Sequence, residues 1–95
     1  MSLCSNIQTL PQLMEQENPD AQDVLAAFRL CTERGMIVSS HNIKNIVDKT
    51  NLNVEQLKEA RDLMEVRALR ELSLFHFVYA AEYKAAWSYL SSKIV

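Results

Sequence analysis

From Leu10 onward the apolar residues recur at three- and four-residue intervals, the spacing of helices that bury one face. Pro11 fits only a first helical turn, so Thr9 is a candidate N-cap for a short helix that ends before Asn18-Pro19. Asp20 caps the next helix, with Asp23 near its positive end and Val24, Leu25, Phe28 and Cys31 on its inner face. Gly35, the only glycine in the chain, follows Glu33-Arg34 as a left-handed stop. Ser39 or Ser40 caps a third helix carrying Ile43, Ile46 and Val47. A tight turn at Thr50-Asn51-Leu52-Asn53 leads to a fourth, in which Asn53 and Gln56 have capping-box spacing. Its apolar positions are Val54, Leu57, Ala60, Leu63, Met64, Ala68 and Leu69. Its charged residues, from Glu55 to Glu71 and including Arg67, read as a solvated face, with Glu55–Lys58 and Lys58–Asp62 as the clearest pairs.

The last segment differs from the rest. Residues 74–90 hold six of the seven aromatic residues, inside a stretch from Met36 to Val95 that contains no Gly or Pro. On a helical wheel Phe75, Tyr79, Tyr83 and Trp87 follow one another at i, i+4, joined by Ala86, Leu90 and Ile94; Leu74, Val78, Ala81, Ala85 and Tyr89 cover the opposite side. A helix apolar nearly all round is a buried one. Two arrangements are open: Ser73 caps a separate fifth helix, or one helix runs from Asn53 to Ser91 for roughly 60 Å.

These patterns predict an all-α fold, a small bundle of four to five helices with a long or hinged aromatic-rich C-terminal helix. Helices are expected near 10–17, 20–34, 40–49, 53–71 and 73–92. The expected core includes Leu13, Val24, Phe28, Ile43, Val47, Leu52, Leu57, Met64, Leu69, Phe75, Val78 and Trp87. Residues 1–95 read as a single helical domain, with 1–8 a candidate disordered lead.

Composition narrows the function more than it defines it. The net charge of −2 provides no single-sign field to attract nucleic acid or a membrane surface. No apolar run is long enough to span a bilayer, and MSLCSNIQ lacks the basic start of a secretory signal. Cys4 and Cys31 make no disulfide framework, so a reduced, cytoplasmic chain is expected. His41, His76 and the two cysteines have no metal-ligand spacing, and no phosphate loop or nucleophile–base pair is present. The expectation is therefore no catalytic residue, no metal, no cofactor and no small-molecule substrate.

Two functional readings remain. In the first, the protein is a non-enzymatic regulator or adaptor that binds another protein or itself as a homodimer. Its interface would then be built from Phe75, Tyr79, Tyr83, Ala86, Trp87 and Leu90, since aromatics beside small residues suit close packing. In the second, residues 43–60 form a helix-turn-helix, with Asn53, Gln56, Lys58 and Arg61 facing DNA and the last helix as dimer contact. Glu55 and Glu59 on the same helix weaken this reading, because carboxylates repel a phosphate-lined groove.

Overall fold

The computed structural model describes residues 9–36 and 38–94. Among these it has five helices and no strand: α1 (Leu10–Met14), α2 (Ala21–Arg34), α3 (Ser40–Lys49), α4 (Val54–Ser73) and α5 (Phe77–Lys93). The all-α bundle is as expected. The two expectations for Cys4 and for residues 1–8 lie outside the described residues.

The starts of α1 to α4 follow the sequence signals. Thr9 and Gln12 form a capping box at α1, and Asp20 accepts from the Gln22 amide at α2. At α4, Asn53 Oδ1 accepts from the Gln56 amide at 2.8 Å while Gln56 Oε1 accepts from the Asn53 amide at 2.9 Å. The start of α3 is served twice: Ser39 Oγ accepts from the His41 amide, and Glu82, reaching across from α5, accepts from the Ser40 amide at 2.7 Å. That bond to an N-terminal amide, with burial opposing it, holds the Glu82 carboxyl below its ordinary value.

The core sits where α1, α2 and α3 close over α4 and α5. α4 packs chiefly on α5 and on α2, whereas α3 rests on α5 and α1. Leu13, Val24, Phe28, Ile43, Val47, Leu57 and Met64 are buried as predicted, and Leu52 and Trp87 are partly buried against the same cluster. Three expected core residues are not: Leu69 is 61% exposed, Phe75 77% and Val78 73%.

The long C-terminal helix is broken. α4 ends at Ser73, residues 74–76 turn, and α5 begins at Phe77. Ser73 does not cap α5; its hydroxyl donates back to the Arg70 carbonyl. The break is a left-handed closure at Phe75, φ 63°, with the His76 amide donating to the Glu71 carbonyl at 2.9 Å and the Phe75 amide to Leu72 at 3.0 Å. An aromatic residue occupies the position that glycine normally takes, so this corner was invisible to a rule that looks for glycine or proline.

Candidate functional site

The corner is held from beneath by a carboxylate that the sequence placed on the solvated face. Glu71 is only 2% exposed. Its Oε1 accepts from Arg67 Nη2 at 2.7 Å and Nε at 3.2 Å, and its Oε2 is 2.7 Å from His76 Nδ1. An ionised carboxylate only accepts, so Nδ1 carries the proton of that bond. Arg67, first, and then His76 hold the Glu71 carboxyl below its ordinary value of 4.5 against the opposing effect of burial. Arg67 also reaches α2, donating from Nη1 to the Thr32 carbonyl at 3.3 Å. Both residues correct the expectation of a solvated face: charge here turns inward because each group meets its complement there.

Above this clamp the surface is apolar. Among the described residues, seven of the nine exposed large hydrophobic side chains fall between 66 and 78: Val66, Leu69, Leu72, Leu74, Phe75, Phe77 and Val78. Phe75 stands at the tip with its ring edge-to-face against Phe77, centroids 6.1 Å apart. Along the seam between α4 and α5 runs a shallow groove. Its upper part, 310 Å³, is lined by Leu69 and Leu72 from α4 and by Phe77, Ala81 and Lys84 from α5. Its lower part, 150 Å³, shares Ala68, Leu69 and Lys84 and is closed by Glu65 and Trp87.

The expected interface residues divide accordingly. Phe75 lies at the tip, Trp87 at the foot of the groove, and Tyr79 is half-buried with its ring against His76 at 5.6 Å. Tyr83, Ala86 and Leu90 are instead fully buried core, and cannot be an interface in the folded chain. Tyr83 donates its hydroxyl to the Met36 carbonyl, and burial pushes its pKa up to about 12. The wheel misled for a geometric reason. An i, i+4 series turns by about 40° per step, so it spirals off any single face, and the series was extended through a break. Leu69 and Leu72, which the wheel did not place beside the aromatic stripe, had a signal: the second half of α4 carries apolar residues on two stripes, one of which the fold leaves exposed.

The helix-turn-helix residues are placed differently. Asn53 and Gln56 are committed to capping each other. Lys58 lies 3.9 Å from Glu55, and Arg61 pairs with Asp62 at 3.2 Å rather than leaving that carboxylate to Lys58. Lys58 and Arg61, but not Asn53 or Gln56, line a shallow cleft of 870 Å³ between α2 and α4, where Lys58, Arg61 and Arg70 alternate with Glu55, Glu59 and Asp62. Opposite charges at such spacing cancel, leaving no field for a phosphate backbone.

Elsewhere burial raises the pKa of Cys31 and keeps it a thiol. Tyr89 bonds Asp48, and Lys93 pairs with Asp48 at 3.3 Å, which ties α5 to α3. No helix among the described residues is long and apolar enough to cross a membrane. Comparison with protein-family models, with curated proteins and with solved structures finds no match for this chain.

Proposed function

We propose that the protein is a non-enzymatic adaptor or regulator that acts by binding another polypeptide at the corner between α4 and α5, a second copy of itself being the simplest case. The observation that carries this reading is the gathering of exposed apolar side chains at residues 66–78 around an aromatic held in left-handed geometry. Apolar patches on monomers rarely exceed a few hundred Å² unless they bind something. A non-glycine residue at positive φ costs about 1–2 kcal/mol and persists where its surroundings over-determine it, as the Glu71 clamp does. The interface is thus the outer face of the α4–α5 hairpin rather than the full aromatic stripe.

The DNA-binding alternative has weaker support, since its four residues are spent on caps and ion pairs. A photo-reactive amino acid at Val78, on the flank of the corner, tests the reading in the native host. Covalent adducts with polypeptide are expected. Adducts with nucleic acid alone, or none, would overturn it.

A further inference from the structure

α4 and α5 pack along each other across the short turn at 74–76, so they run antiparallel. Counting the same helical rise away from that turn on both helices sets Leu72 level with Phe77, Leu69 with Ala81 and Glu65 with Lys84, and each of these pairs shares one part of the groove. Within each level the two helices present unlike side chains: aliphatic beside aromatic, large beside small, negative beside positive.

We infer that the occupant of this face is a second copy of the chain, seated hairpin on hairpin about a two-fold axis parallel to the hairpin. This rests on the reading of the corner as a protein-binding surface. Such an axis sets α4 of one copy against α5 of the other at the same level. Leu69 then meets Ala81 of the second copy, where the small side chain makes room for the large one. Leu72 meets Phe77. Glu65 meets Lys84, twice by symmetry, and among the described residues neither has an ion pair within its own chain. The exposed tips of Phe75 come together near the axis. A two-fold perpendicular to the hairpin would lay Glu65 and Lys84 onto Leu72 and Phe77, desolvating charges against apolar groups. The orientation is therefore fixed by charge.

The area agrees. Leu69, Leu72, Leu74, Phe75, Phe77 and Val78 leave on the order of 700 Å² uncovered, given their exposures and the size of such side chains. A standard interface takes about 800 Å² from each partner. The product is a four-helix arrangement of two hairpins, a geometry in which apolar seams of this width are ordinarily closed.

Sedimentation equilibrium of the full chain at micromolar concentration is the test. The wild type is expected as a dimer. Leu69→Asp, at an exposed position, is expected as a monomer with unchanged helical circular dichroism. Glu65→Lys and Lys84→Glu should each weaken self-association about tenfold by placing like charges together. Mixed in equal amounts, these two variants should recover wild-type affinity as a heterodimer, because each then supplies the charge the other lacks. A wild type that stays monomeric to ~100 µM would overturn the inference, as would a mixture no tighter than its components. A monomer that still forms polypeptide adducts through Val78 in its host would overturn the second copy and leave the binding reading standing.

Discussion

Two helix ends in this molecule close in the same way and differ in the residue that closes them. At the end of α2, the Met36 amide donates to the Cys31 carbonyl around Gly35, φ 66°. At the end of α4, the His76 amide donates to Glu71 around Phe75, φ 63°. The backbone is nearly superposable in kind, yet glycine adopts this conformation at no steric cost and phenylalanine does not. The α2 end is braced by the buried Tyr83, whose hydroxyl donates to the Met36 carbonyl, and Gly35 itself is half-buried. The α4 end needs a buried ion-paired carboxylate to hold it, and it faces solvent. Where the chain needs only to turn, it uses the residue that turns freely; where it displays an aromatic ring, it carries strain and the clamp that sustains it.

Substitutions at the two ends separate their roles. The largest effect is expected for Tyr83→Ala, which removes a ring from the core and the donor that braces the α2 end. A loss of about 4 kcal/mol in urea unfolding should result. Glu71→Ala should cost about 3 kcal/mol, because it leaves Arg67 without its carboxylate in a mostly buried position. The same clamp predicts acid sensitivity. The folded pKa of Glu71 lies below its ordinary 4.5, so its contribution is complete above that value and is lost as pH falls through the folded value. A pH series of unfolding midpoints should therefore fall in the acid range for the wild type, and less steeply for Glu71→Ala.

Smaller effects come from the closing residues themselves. Gly35→Ala forces a Cβ into the left-handed region and against the Arg67 guanidinium. A destabilisation of about 1–2 kcal/mol is expected by thermal denaturation. Phe75→Gly should go the other way, gaining about 0.5 kcal/mol, since relief of strain outweighs the added freedom of glycine in the unfolded chain. The same variant should weaken self-association in sedimentation. If Phe75→Gly instead lost stability and left association unchanged, the ring would be a structural element and the contrast between the two ends would fail.

The sequence signals for chain reversal were legible where the local chemistry was self-sufficient. Thr9, Asp20, Asn53 and Gln56 cap through their own side chains, and Gly35 stops α2 through its own backbone freedom. The corner at Phe75 was not legible because nothing in its own identity favours the conformation it takes. Its closure depends on Glu71 and His76, five residues apart, a spacing that pairs no two side chains on one continuous helix. The candidate site was half legible for a related reason. An aromatic run announces apolar surface, but which part turns outward follows from where the helix breaks: Tyr83, Ala86 and Leu90 go in, while Phe75 and Phe77 come out.

Arg67 touches both of these ends. It packs over Gly35, bonds the Thr32 carbonyl in the last turn of α2, and pairs with Glu71 below the corner. Local opening at one end must release the guanidinium from the other, so the two should fluctuate as one cooperative unit. In native-state amide hydrogen exchange, the Met36 and His76 amides would then report a common opening free energy in the wild type, and separate ones once Arg67 is replaced by Ala.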